Sequence, residues 1–407
     1  MKILQVGPIP PEIGGISKGG VATHLWELSY KLASNKHEVA IIASNYDPNL
    51  SSPVIKNGVK IYGISKLNLY KFLIFCIKSL NIEMLKSFYN IMNYHENFRR
   101  PSTFLKLFFY RYVIEDFRPD IIHVHHLEER FPLVYYSLSN KRIPIISTIH
   151  SFHSVEFTDP AISRRNYNLI KKNLKLCKGL ILVSNHIKEN LESLFGSYTG
   201  SQWIINNPID SKKYYLISKR DARKKINFPD DNLPLLLFVG NLNRRKGEFL
   251  IIDAIKSLKE EIKLKVIIIG DGSEFENLRD YVYRSGTSNI VELRGAKYYP
   301  DLLYYYNSAD IFVMPSYSEG FALSYLEALS CGIPIIGIMG VADELITDEN
   351  YGILVEPGNS DSLARAIKAA LSRDWDREII RKYAERFSWD IKICEFERVY
   401  NSMLTKY

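Results

Sequence analysis

Apolar positions along the chain follow two alternating patterns. Short runs rich in Ile, Val and Leu are separated by longer stretches of helical period, which is the pattern of βαβ units and parallel sheets. Strands are predicted at residues 2–6, 38–43, 121–124, 143–149 and 180–183 in the first half. The second half predicts strands at 235–239, 264–269, 290–293, 311–314, 333–336 and 352–355. Most of these runs are apolar throughout, so they are expected to be buried on both faces. A helix from Lys246 carries Leu250, Ile251, Ala254, Ile255 and Leu258 on one stripe, which is core packing. Residues 206–234 are polar, charged and punctuated by Pro208 and Pro234, and mark a domain boundary. No repeat of solenoid period is visible. The expectation is α/β, with two doubly wound domains facing across a cleft.

Length and composition agree with two domains. The 407 residues exceed the roughly 250–300 at which single cores stop growing. At 46% hydrophobic and 24% charged residues, the chain has an ordinary globular composition. Cys76, Cys177, Cys331 and Cys394 are far apart and form no C-x-x-C pair, which argues against a zinc site or a disulfide framework and for a reducing, cytoplasmic setting. The first apolar stretch is broken by Gln5 and reads as a strand rather than a signal peptide. No run approaches the ~20 apolar residues that span a bilayer. Net charge is +8, and the segment 66–118 holds nine Lys/Arg against four acids.

Several loops after predicted strands carry chemistry. Residues 14–21 include Gly14, Gly15, Gly19 and Gly20 and open a helix, where free N–H groups attract phosphate; a plain surface loop is the competing reading, because the spacing is not G-x-G-x-x-G. After the strand at 235–239 come Gly240, Asn241 and the cations Arg244, Arg245 and Lys246, placed where open α/β sheets bind ligands and suited to a leaving diphosphate; a solvated basic turn explains them too. Gly270, Asp271, Gly272 and Ser273 form a turn in which Asp271 or Ser273 is expected to cap the next helix.

The most informative run is Ser318, Glu319, Gly320, Phe321, followed eight residues after Glu319 by Glu327. Glu319 falls in the turn after a strand, and Glu327 about 12 Å further along a helix whose free N–H groups face the turn. Glu327 stands among Leu323, Leu326, Ala328 and Leu329, so its carboxylate needs a partner. Among the histidines, His123, His125 and His126 lie in and after the strand at Ile121, and His150 and His153 after the strand at Ile143. They are expected to line a cleft, with metal binding the lesser alternative and no metal assigned.

With these motifs in place, the chain resembles the retaining glycosyltransferases of family four, which have the GT-B architecture of two Rossmann-like domains. The likeness includes Gly19-Gly20-Val21, His125, Thr148-Ile149-His150, Asn207-Pro208, Gly240 through Gly247, Ser318 through Phe321, Glu327 and Phe387-Ser388-Trp389-Asp390. It implies an acceptor-side domain at 1–210, a nucleotide-sugar domain at 211–387 and a final helix at 388–407 that crosses back. It also implies catalytic roles for His150 and Glu319. Donor binding would fall to Gly19, Gly20, Gly240, Arg245, Lys246, Gly320, Phe321, Leu323 and Glu327, with His125 and His153 lining the acceptor side. Asn241 stands where many members carry Arg, and residues 340–344 lack the double glycine before Pro-Glu that many members have.

The activity expected is retaining transfer of a hexose-type sugar from a nucleotide-sugar to a glycan or lipid-linked acceptor, in polysaccharide or cell-envelope synthesis. No cofactor and no metal are expected. The segment 66–118, with Lys71, Lys78 and Lys86 on one face of a helix beside Leu69, Phe72, Leu73, Cys76 and Leu80, suggests an anionic membrane surface as a further partner and a peripheral position at its inner face. Nucleic acid is not expected, because the basic region matches no recognised module. The rival readings are a non-catalytic sugar-nucleotide-binding subunit and a nicotinamide-dependent oxidoreductase.

Overall fold

A computed structural model describes residues 1–16, 19–47, 53–63, 75–77, 79–100, 102–138, 142–156, 158–228 and 232–406. The chain forms two compact units. One comprises Met1–Asn206 with Lys392–Tyr407, and the other Asn207–Ile391.

The first unit holds strands β1 (Lys2–Gly7), β2 (Glu38–Ala43), β3 (Val54–Lys56), β4 (Val59–Tyr62), β5 (Ile121–His125), β6 (Ile145–Ile149), β7 (Gly179–Leu182) and β8 (Ser201–Ile204). Their spatial order is β3-β4-β2-β1-β5-β6-β7-β8. Every pairing is parallel except β3 with β4. The order reverses direction between β1 and β5, which makes their C-terminal ends the topological switch point where such sheets bind ligands. Along β5 and β6 every residue is buried, as continuous apolar runs require when helices cover both faces.

The second unit holds β9 (Leu235–Val239), β10 (Lys265–Ile269), β11 (Val291–Leu293), β12 (Ile311–Val313), β13 (Ile335–Ile338) and β14 (Gly352–Val355), all parallel, in the order β11-β10-β9-β12-β13-β14. Here the switch point lies between β9 and β12. The mixed α/β character with two Rossmann-like parallel sheets agrees with the sequence.

Three strands escape the hydrophobic pattern. β3 and β4 are short and carry Lys56 and Lys60, but the Asn57-Gly58 pair between them has left-handed φ values of 48° and 79°, the two-residue hairpin turn that Asn-Gly favours. That dipeptide was the available signal. β8 has the polar opening Ser201-Gln202 and sits at the sheet edge, where alternation is weak.

Other expectations need correction. Lys86 does not share one continuous helix with Cys76, because Asn81 caps a new helix at Ile82–Tyr94 by accepting from the Met84 N–H at 2.9 Å. Lys71, Lys78, Leu69, Phe72 and Leu73 lie outside the described residues. The helix Phe275–Arg284 starts after Glu274 with no side-chain cap, while Asp271 instead accepts from the Gly272 N–H at 2.8 Å. Finally, the stripe from Leu250 to Leu258 belongs to a helix that begins at Glu248, because Arg244–Lys246 forms a separate 3-10 turn.

Candidate active site

In the second unit, two loops meet at the β9/β12 switch point. After β9 the chain makes the 3-10 turn Arg244–Lys246 and passes through Gly247 at φ 73°. A Cβ there would lie 2.1 Å from the Pro315 carbonyl oxygen, so only glycine lets the turn close onto the loop after β12. The Tyr317 N–H donates to the Arg245 carbonyl at 2.8 Å, and the Ser316 Oγ stands 3.2 Å from the same oxygen. These backbone ties hold the cations against the Ser316–Glu319 segment.

The side chains complete the junction. Glu319 Oε1 accepts from Lys246 Nζ at 2.6 Å, Arg245 Nη1 at 3.2 Å and Ser316 Oγ at 2.6 Å, and Arg245 also donates to the Ser318 carbonyl. Glu319 is only 8% exposed. Burial pushes its pKa up, but Lys246 and Arg245, with the Ser316 hydroxyl, outweigh it and hold the carboxyl below its ordinary value. The Glu319 carboxylate thus organises two cations whose side chains keep 16 and 13% exposure. Ser316 was missed by sequence reasoning, and its only signal was its place three residues before Glu319.

Gly320 leads into the helix Leu323–Ser330, whose N-cap Ala322 places no side chain over the first turn. Leu323 opens the helix half-buried. Phe321 is buried with its ring 5.5 Å from that of Phe387, and its carbonyl accepts from Asn207 at 2.8 Å. Glu327 is half-buried, and its Oε2 accepts from the Tyr306 hydroxyl at 2.6 Å. That hydroxyl supplies the partner that the apolar surroundings demanded. Burial, with the charge of Glu327 beside it, pushes the Tyr306 pKa well above its ordinary value, so the phenol stays a donor. Gly240 precedes these loops, with the Lys246 stem 4.0 Å from where its Cβ would stand.

Glu248, the first residue after Gly247, is fully buried with both carboxylate oxygens lacking a hydrogen-bond partner among the described residues. Burial is the main cause that raises its pKa to about 7. Sequence reasoning passed over this residue because glutamate at a helix start is ordinary.

In the first unit, the β1/β5 switch point gathers histidines. Gln5 Oε1 accepts from His125 Nε2 at 3.0 Å, so His125 Nδ1 is the acceptor for His150 Nε2, also at 3.0 Å. Gln5 Nε2 donates to the Tyr400 hydroxyl at 3.2 Å. Tyr400 donates to His123 Nδ1 at 2.9 Å, and His123 Nε2 donates to Thr148 at 2.7 Å. The His24 ring stands 4.9 Å from that of His150. Burial drives the pKa of His24 and His123 down to about 3 and that of His125 and His150 well below the ordinary range. All four are therefore neutral at physiological pH. The amide network leaves His150 Nδ1 as a lone-pair acceptor.

His125 and His150 are thus brought together, while His153 begins the one-turn helix His153–Glu156 and is half-buried. Gln5 and Tyr400 were missed. A lone amide inside the apolar β1 was a legible signal for the first; Tyr400 arrives from a helix near the chain's end and had none. Gly19 caps the helix Gly20–Ser34 in an extended conformation, with nothing within 4 Å of where its Cβ would stand. Ser17 and Lys18 of that loop lie outside the described residues. The nitrogens of His24, His125 and His150 lie within 4.8 Å of one another, the spacing of a possible cation site, although His125 and His150 already share a hydrogen bond.

Two doubly wound units, each with polar loops at its switch point, define a ligand-binding α/β protein of the two-Rossmann type. Comparison with known proteins sharpens this. Residues 18–213 match the profile described as Glycosyltransferase Family 4, and residues 218–387 that described as Glycosyl transferases group 1. An uncharacterized glycosyltransferase of Methanocaldococcus jannaschii is 30% identical over 98% of both chains. Among solved structures, sucrose-phosphate synthase of Thermosynechococcus elongatus shares the fold at TM-score 0.76 and 19% identity, over 100% of both chains. Anabaena HepE in complex with UDP and glucose does so at TM-score 0.72 and 19% identity, over 99% of this chain and 100% of that one. The chain belongs to the family four glycosyltransferases, of GT-B fold, and is a transferase.

Proposed function

We propose that the protein transfers a hexose-type sugar, with retention of configuration, from a nucleotide-sugar donor to a glycan or lipid-linked acceptor at the cytoplasmic face of a membrane. The observation that carries this reading is the junction of Glu319 with Lys246 and Arg245 beside the uncapped helix start at Leu323. Arg245 and Lys246 take up the charge that develops on the diphosphate as the anomeric C–O bond breaks, and the helix start adds N–H donors. Gly320, Phe321 and Leu323 present their backbone to the donor. Glu319 holds the cations in place and accepts from hydroxyls of the sugar, while Glu327, oriented by Tyr306, accepts from the ribose. Gly240 lets the donor approach β9, and the helix start at Gly19 and Gly20 offers N–H groups to an anion. His150 Nδ1 accepts from a sugar hydroxyl, and His125 fixes its tautomer; His153 lines the acceptor side. The neighbour with UDP and glucose bound supports a nucleotide-sugar as the donor.

In this reading the two cations do the work of a metal ion, and the histidines serve as a hydrogen-bonded network. Incubation with UDP-, GDP- and ADP-sugars, with NMR of the product, is expected to show transfer or slow donor hydrolysis with the anomeric configuration kept. EDTA is expected to leave the rate unchanged. Donor binding with no turnover on any donor or acceptor would point to a non-catalytic subunit, and loss of turnover in EDTA would overturn the metal-independent scheme.

Membrane association is the outer part of the proposal. Among the described residues, no helix is long and apolar enough to cross a membrane. Ile77, Ile82 and Tyr89 are nonetheless 75, 71 and 71% exposed, and the helix Ile82–Tyr94 also carries Lys86. Apolar side chains beside lysines suit an anionic interface. Flotation with phosphatidylglycerol vesicles at low salt is expected to carry the protein upward, and Ile82→Asp with Tyr89→Asp to leave it in the pellet fraction. Equal behaviour of wild type and variant would remove this contact.

A further inference from the structure

The helix Pro160–Leu176 of the first unit carries Arg164, Arg165, Lys171, Lys172 and Lys175 and no acid. Asp159 sets its start by accepting from the Ala161 N–H at 2.9 Å, with Pro160 in the first turn. Four of those cations, Arg165, Lys171, Lys172 and Lys175, join Arg99 from beyond the neighbouring helix Ile82–Tyr94 to line a cavity of about 470 Å³, in which Glu96 is the one acid. A second cavity of about 440 Å³, bordered by Arg164 and Arg165, shares Glu96, Arg165 and Asn168 with the first. From Arg164 to Lys175 the basic face runs for about 16 Å along the helix axis.

Like charges so placed repel one another, and folded proteins usually neutralise them. Among the described residues, none of these cations is ion-paired with a carboxylate. Arg165 Nε is buried with no hydrogen-bond partner among them, although its own carbonyl is engaged by His95 Nε2 at 3.1 Å. Lys172 donates to the Tyr94 carbonyl at 2.6 Å, which holds the ammonium at the cavity wall and leaves its other N–H groups free to donate elsewhere. Asn93 and Asn168 add amide groups to the same lining.

From this cluster we propose that the groove between the helices Pro160–Leu176 and Ile82–Tyr94 is a binding site for an acidic glycan. The cations take carboxylates or phosphates along the chain, and Asn93 and Asn168 take its hydroxyls. The concave, elongated form fits a linear chain better than a planar headgroup layer. The choice of a glycan among polyanions rests on the transferase reading; the anion site itself does not.

Native electrophoresis of the full chain through gels containing polygalacturonate or dextran tests this without any turnover. Wild type is expected to be retarded by polygalacturonate and not by dextran. Lys171→Glu with Lys175→Glu, and separately Arg165→Gln, are expected to weaken the retardation about tenfold or more at low salt, with thermal melts unchanged for the lysine pair. Lys86→Glu outside the groove is expected to behave as wild type. No retardation, equal retardation of wild type and both groove variants, or equal retention by double-stranded DNA would each overturn the proposal. So would groove variants that lose vesicle flotation while keeping polygalacturonate binding. Donor hydrolysis measured on the same variants is expected to stay at the wild-type rate. Its absence in the wild type, with retardation intact, would fault the transferase reading and leave the anion site standing.

Discussion

Lys246→Ala is expected to lower kcat/KM for sugar transfer by about 100- to 1,000-fold, the effect of removing one preorganised donor from a developing oxyanion. Lys246 Nζ lies 2.6 Å from Glu319 Oε1 and is held there by a turn that Gly247 locks against Pro315, so its charge is placed before the donor arrives. The companion substitution separates two roles. Glu319→Gln keeps the volume but releases Lys246 and Arg245 from their carboxylate, so the nucleoside diphosphate is expected to bind at least as tightly while transfer falls. Calorimetry with the diphosphate and steady-state kinetics on the same two variants read both quantities. Full transfer by Lys246→Ala, or Glu319→Gln that loses diphosphate binding and turnover together, would reject this division of labour.

Glu248→Gln is expected to remove a pH dependence of stability. The folded carboxyl titrates near 7, against 4.5 ordinarily, because burial disfavours its charged form. A raised carboxyl pKa means that the folded state holds a proton the unfolded state has released. The associated stability is complete below about 4.5 and is lost as pH rises through 7. For a shift of this size the loss amounts to roughly 3 kcal/mol. Denaturant unfolding of the wild type is therefore expected to show a lower midpoint for the second unit at pH 8 than at pH 5, and Glu248→Gln to narrow that gap. The same gap in both proteins would show that Glu248 does not titrate in this window.

Much of the fold was legible because burial on both faces of a parallel sheet forces continuous apolar runs. β2, β9 and β14 coincide with the runs at 38–43, 235–239 and 352–355. Where the pattern ended, packing took over. Pro334 ends the loop before β13, so the apolar run that starts at Ile333 enters the sheet two residues late. The hairpin of β3 and β4 was encoded in a turn dipeptide rather than in hydrophobicity.

The residues of the loops at the β9/β12 switch point were legible for a different reason. Glu319, Arg245 and Lys246 follow strands directly, and in open α/β sheets such positions face ligands. What sequence alone determined was which residues stand at strand ends and which stripes are buried, since both follow from local periodicity and chain connectivity. Only the tertiary structure decided that one carboxylate binds both cations, that Tyr306 partners Glu327, that Tyr400 anchors the histidine network, and that Arg165 and its neighbours line one groove. The first three of these pairings span 21 to 395 residues of chain, and a side chain's partner across such distances is set by the packing of whole elements.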